Sequence, residues 1–171
     1  IALRAEALAG RLPAADVASG NDTGLDAMVR TELSTLRDGM IEVYRAVSDS
    51  GRSTDVALVT AVESPTLARD TVRASTASAD RIASRVVMSG EETATEDQLE
   101  SGGALVRSAW PIRDADRLVV GAVVVSRHLP APIRAEALRA TTAYQRYQSL
   151  FILREPLHGF FLSIFVTVTL L

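Results

Sequence analysis

The sequence predicts an α+β fold: an antiparallel sheet of about five strands with flanking helices and a long C-terminal helix leading into a membrane span. Three observations carry this. Helix-spaced apolar residues with capping chemistry open the chain; two strand pairs, within Met40–Val62 and Ala104–Arg127, are each joined by a short polar turn; and an uncharged run begins at Leu157. The order of these patterns separates helices from strands rather than alternating them singly, which argues against a parallel sheet.

The first helix is expected from Ile1 to Leu12, where strong helix formers run up to Pro13. Thr23-Gly24-Leu25-Asp26 has the form of a capping box, and Leu25, Met28, Val29, Leu33 and Leu36 then recur at helical spacing as far as Asp38-Gly39. Met40 to Val47 alternates like a strand, Ser48-Asp49-Ser50-Gly51 is turn chemistry, and Thr54 to Val62 completes a hairpin. Ser64-Pro65 then reads as an N-cap with Pro at the first helical position, opening a helix to Met88 whose Ala/Ser/Thr-rich middle, Ala74 to Ala79, allows a break. Glu91 to Glu100 fits either a loop or an exposed edge strand. After Gly102-Gly103, Ala104 to Ile112 and Leu118 to Arg127 form the second hairpin around Arg113-Asp114-Ala115-Asp116. Val119, Val120, Val123, Val124 and Val125 occupy both faces of that last strand, so it is expected at the centre of the sheet, covered on both sides.

Pro130-Ala131-Pro132 ends the sheet and starts the final helix. Within it Ile133, Ala137, Ala140, Tyr144, Tyr147 and Phe151 follow a 4, 3, 4, 3, 4 spacing, a heptad seam suited to a second helix. The competing reading packs the same stripe on the domain's own sheet. Arg154-Glu155-Pro156 marks a membrane-surface boundary or kink, and Leu157 to Leu171, uncharged and still apolar at its end, reads as the start of a transmembrane helix, which needs ~20 such residues. The chain opens on Ile1 without a signal-peptide pattern, so a first membrane anchor is expected upstream. The expected organisation is a helix and linker over 1–23, an α+β domain over 24–129, a long helix over 130–156 and the start of the membrane helix over 157–171.

Composition narrows the function. With 47% hydrophobic and 23% charged residues the chain folds, and a net charge of −3 argues against nucleic acid as a partner. The absence of Cys removes disulfides, thiolate catalysis and Cys-type zinc sites. Only two His occur, His128 and His158, and no nucleophile elbow, zinc-protease or Walker motif appears, so the fragment is expected to have no catalytic residue, cofactor or metal of its own. Glu91, Glu92, Glu96, Asp97 and Glu100 lack the spacing of a calcium loop and read as a solvated segment. The ligand-binding candidates are Arg107, a guanidinium inside an apolar strand, with Tyr44 and Trp110 as aromatic walls. Arg107 and Trp110 differ by an odd number and so point to opposite faces of a regular strand. The competing reading is a core Trp and an Arg107 salt-bridged at a sheet edge.

The hairpin of Gly103–Ile112 and Leu118–Arg127 resembles the terminal hairpin of extracytoplasmic PAS-like (Cache-type) sensor domains. The segment carrying Tyr144, Tyr147, Leu150, Arg154, Pro156 and the Thr169-Leu170-Leu171 exit resembles the linker and second membrane helix of NtrY-like nitrogen-regulation sensor histidine kinases. The resemblance is specific over the last third of the chain and holds elsewhere in element order. It implies the sensing domain of a two-component receptor in the bacterial inner membrane, facing the periplasm and dimeric through its helices. ATP and Mg are implied only for a kinase domain beyond Leu171, and a cognate response regulator for the parent protein. The input domain of a chemoreceptor or diguanylate cyclase is the near alternative, and a membrane-tethered enzyme or assembly protein the distant one.

Overall fold

The computed structural model describes residues 1–36, 38–49, 53–67, 69–100 and 102–152, and among these the side chains of all but 48–49, 53–54, 69–77 and 146–152. Its elements are α1 (Ala2–Ala9), α2 (Ala14–Ser19), α3 (Leu25–Leu33), β1 (Gly39–Asp49), β2 (Ser53–Glu63), α4 (Arg69–Ser89), β3 (Thr93–Gln98), β4 (Ala104–Arg113), β5 (Val119–Leu129) and α5 (Ala131–Ile152). The strands form one antiparallel sheet in the order β2-β1-β5-β4-β3, an α+β arrangement consistent with a PAS-like fold. The expected Leu157–Leu171 membrane helix lies outside the described residues. Among the described residues no helix is long and apolar enough to cross a membrane.

Strand β5 sits at the centre, as its two apolar faces require. Val123 and Val125 point into a core with Leu8, Val17, Leu25, Val29, Ile41, Val43 and Ile112, which α1, α2 and α3 close. Ala122 and Val124 point the other way, with Tyr44 and Ala109, against Ala79, Ile82, Ala83, Val86 and Val87 of α4. The stretch Glu91–Glu100, open between two readings in the sequence, contains the edge strand β3, whose residues alternate between half-buried and exposed.

Four local expectations change. Residues 1–23, expected as a helix and linker before the domain, place Ala5, Leu8, Leu12 and Val17 in its core. The first helix ends at Ala9, and Pro13 begins a second, α2, that ends at Gly20 in the left-handed conformation (φ 73°). The capping box at Thr23 does not form; α3 has Gly24 at its N-cap with no side-chain cap, and Asp26 instead binds Arg30 Nε at 2.6 Å. Ser64 does not cap α4, which begins at Arg69: its Oγ meets Thr66 Oγ1 at 2.8 Å and Leu67 N donates to Ser64 O, so Ser64-Pro65 makes a turn. The helix α4 then runs unbroken through Ala74–Ala79.

Residues Ile1–Pro130 form one compact unit, and α5 belongs to a second. Within the first, Gly121 marks the closest approach of β5 to its neighbours. A Cβ there would fall on the Tyr44 carbonyl oxygen and lie 2.8 Å from Val17 Cγ1. Because the obstacle is backbone held in the sheet, Gly121→Ala is expected to destabilise the unit by about 2–4 kcal/mol, at or above the usual range for overpacking, as read by urea denaturation.

Candidate functional site

The face of the sheet under α4 begins as an apolar surface and turns polar. Under the C-terminal half of α4 it is apolar, with Ala109, Ala122 and Val124 in one buried cluster with Ala79, Ile82, Ala83, Val86 and Val87. Antiparallel pairing places Thr95 beside Arg107, Arg107 beside Ser126 and Ser126 beside Met40, one row across β3, β4, β5 and β1. Glu42 stands two residues further along β1 on the same face, and Tyr44 two beyond it. Arg107 and Glu42 are each 1% exposed and Ser126 is fully buried.

Buried charge of this kind is tolerated only with partners. The Arg107 guanidinium has Asp97: Nε lies 3.0 Å from Asp97 Oδ2, while Ser78 Oγ of α4 donates to the same oxygen at 2.7 Å. The Glu42 carboxyl is less well served. Tyr44 Oη donates to its Oε1 at 3.2 Å, and its Oε2 has no hydrogen-bond partner. Burial therefore drives the Glu42 carboxyl up to about 7, against the lowering effects of the Tyr44 bond and the Arg107 charge, and Asp80 adds a smaller push upward. The Tyr44 phenol is pushed upward as well, first by burial, then by the charge of Glu42 and by a hydrogen bond with Asp80. Ser126 Oγ and Thr95 Oγ1 are also buried with no hydrogen-bond partner.

Of the candidates read from the sequence, Arg107 and Tyr44 lie on this face, whereas Trp110 packs half-buried on the opposite core. Trp110 and Arg107 therefore cannot line one pocket. Ile133, Ala137, Ala140 and Tyr144 are exposed residues of α5, Ile133 by 52% and Tyr144 by 62%. Tyr147 and Phe151 belong to the same helix, with their side chains outside the description. Sequence reasoning missed Glu42, Ser126, Thr95 and Asp80, and it read Asp97 as part of a solvated segment where the structure pairs it with Arg107. The available signal for Glu42 was its place between apolar neighbours, Met40, Ile41, Val43 and Tyr44, on both faces of a strand.

An open groove of about 670 Å³ between α3 and the end of β2 is lined by Arg30, Leu33, Leu36, Asp38, Val62 and Thr66 among others. Two of its polar members are engaged, Arg30 by Asp26 and Asp38 by Thr66, whereas Glu42 Oε2, Thr95 Oγ1 and Ser126 Oγ, buried without a hydrogen-bond partner, all lie on the α4 face. No group of three or more His, Asp or Glu side chains that could hold a metal lies among the described residues.

No family model matches the chain, and no curated protein matches it. Among solved structures, the chain is similar to the sensory box sensor histidine kinase from Vibrio cholerae, at 10% identity over 65% of this chain and 98% of that one, with a TM-score of 0.33. A superposition of that quality assigns no function.

The position of Glu42 fixes a pH dependence. Its carboxyl is raised from 4.5 to about 7 on folding, so between those values the folded state holds more protons than the unfolded one. Below about pH 4.5 both states are protonated and the group is neutral in its effect; stability falls as pH rises through the window and levels off above about 7. The loss is on the order of 3 kcal/mol. Denaturant titrations from about pH 4 to about pH 9 should show it, and Glu42→Gln should flatten the curve and exceed the wild type in stability at the alkaline end.

Proposed function

We propose that this chain is the extracytoplasmic signal-sensing domain of a dimeric two-component histidine kinase, with α5 as the output helix and the run from Leu157 as its entry into the inner membrane. The observation that carries the reading is a buried ionisable cluster, Glu42, Tyr44 and Arg107, lying under a single helix in a PAS-like α+β fold. Such a cluster gives a stimulus something to act on, because filling, protonating or displacing it changes how α4 is held. Arg107 and Tyr44 are the proposed polar and aromatic contacts of a small ligand on this face. A stimulus transmits only if it stabilises one arrangement more than the other. The seam Ile133, Ala137, Ala140, Tyr144, Tyr147 and Phe151 would carry the shift between paired α5 helices, its Ala positions allowing close approach. ATP, Mg and the response regulator belong to the proposed kinase portion and not to this domain.

Because these 171 residues contain no Cys, single cysteines introduced into them within the intact receptor test the reading. Leu3→Cys, at a residue 80% exposed, should react with a membrane-impermeant maleimide in unbroken spheroplasts; reaction only after lysis would overturn the extracytoplasmic placement. Cysteines placed singly from Ile133 to Phe151 should cross-link with a heptad rhythm peaking at the seam. Peaks at Glu136, Arg139 and Arg146 instead would reject α5 pairing through this face.

A further inference from the structure

We propose that Glu42, Tyr44 and Asp80 form a proton-operated latch between β1 and α4, in which a proton taken up by Glu42 tightens α4 on the sheet and its release loosens it. The proposal deepens the sensor reading by naming the stimulus, and it rests on that reading only for its consequence in signalling. The latch itself is a property of the folded domain.

The reasoning is a count of protons. The Tyr44 phenol brings one, and it has two carboxyl neighbours: Glu42 Oε1 at 3.2 Å on its own strand and Asp80 on α4. With Glu42 ionised, the phenol can donate to only one of them, and when it donates to Glu42 the exposed Asp80 is left to solvent rather than joined to the sheet. If Glu42 takes a proton from solvent, its new hydroxyl donates to Tyr44 Oη, and the Tyr44 proton is free to go to Asp80. One added proton thus completes a chain of hydrogen bonds from the sheet to the helix. The orphaned Glu42 Oε2 argues the same way, since an acceptor without a donor costs less on a neutral acid than on a carboxylate buried to 1% exposure.

The surroundings leave Glu42 as the group that decides. From β4 it faces Arg107, which is engaged by Asp97 of β3. From β5 it faces Ser126, with His128 two residues beyond on the same side; from β2, the exposed Glu63, which pairs with Met40; and from α4, Asp80 and Ser78. The upward displacement of the Glu42 carboxyl agrees with this geometry. His128 is the imidazole on this side of β5, so it is the control.

The test uses the full 171-residue chain with carboxyl-labelled Glu, followed by NMR from about pH 5 to about pH 9, together with amide-exchange protection of Ala79–Val87 corrected for the intrinsic pH dependence of exchange. Glu42 should titrate near neutrality, and α4 protection should fall about tenfold or more across the same midpoint, the change that one pKa unit of coupling produces. Glu42→Gln should hold the low-pH protection throughout. Tyr44→Phe should uncouple the two, leaving α4 protection independent of pH while Glu42 still titrates, which keeps the test decisive if Glu42→Gln fails to fold. His128→Gln should change neither curve. A Glu42 midpoint in the ordinary carboxylate range, α4 protection that ignores Glu42's titration, or a transition abolished by His128→Gln would each overturn the latch. Because the readout is taken on the domain itself, silence of the parent receptor's output would count against the sensor reading and leave the latch standing.

Discussion

The constraint on which the structure depends is that β5 is covered on both faces. A strand with Ala122 and Val124 on one side and Val123 and Val125 on the other must have a layer against each. Three short helices supply one layer and α4 the other. The central position of β5 then dictates the sheet order, with the β1–β2 hairpin on one flank and β4–β3 on the other. Gly121 shows how tight the arrangement is, because the Tyr44 backbone and Val17 occupy the space a side chain would need.

The two faces are built differently, and the difference locates the site. The α1–α3 side is filled by branched and long aliphatic residues, Leu8, Leu25, Val29, Ile41 and Ile112, and it accepts Trp110 at its margin. The α4 side combines alanines with a strip of buried polar groups. There the ion pair of Arg107 with Asp97 ties β4 to the edge strand β3, and Ser78 ties α4 to the same carboxylate. Glu42 stands in the interior of this strip with one bond to a phenol. A low-dielectric neighbourhood enlarges both the attraction of satisfied pairs and the penalty of an unsatisfied one. The strip thus has two contacts converging on Asp97, from β4 and from α4, and at Glu42 one bond to a phenol.

The sheet and its central strand were legible because valines on both faces of one run leave few alternatives, and because the turn at Asp114 is written in local chemistry: Asp114 Oδ1 accepts from the backbone N–H groups of Asp116 and Leu118, each at 2.9 Å. The helix α2 was not legible, since six residues carry too little periodicity to distinguish a helical turn from a linker. Thr23 and Ser64 misled for a related reason: their hydroxyls suit a cap, but tertiary partners and turn geometry claimed those segments first. For the site, strand parity separates Arg107 from Trp110, which local sequence suffices to do. The partners of Arg107 and the burial of Glu42 come from register across β3, β4, β5 and β1 and from α4 lying on top. A glutamate in an apolar strand looks solvent-facing until the covering helix is known.

The alanines under α4 carry a mechanical implication. Interlocked leucines resist sliding because each side chain must climb over its neighbours, whereas Ala79, Ala83, Ala109 and Ala122 give the α4 contact patches of shallow relief among Ile82, Val86 and Val87. Where the relief is shallow, a directional contact such as Ser78 Oγ to Asp97 adds a constraint on the helix that shape alone does not supply. On the opposite side Leu8, Leu25 and Val29 grip the sheet by relief alone. The two layers are thus fastened differently, one by interlocking shape and the other by shape and directional bonds together.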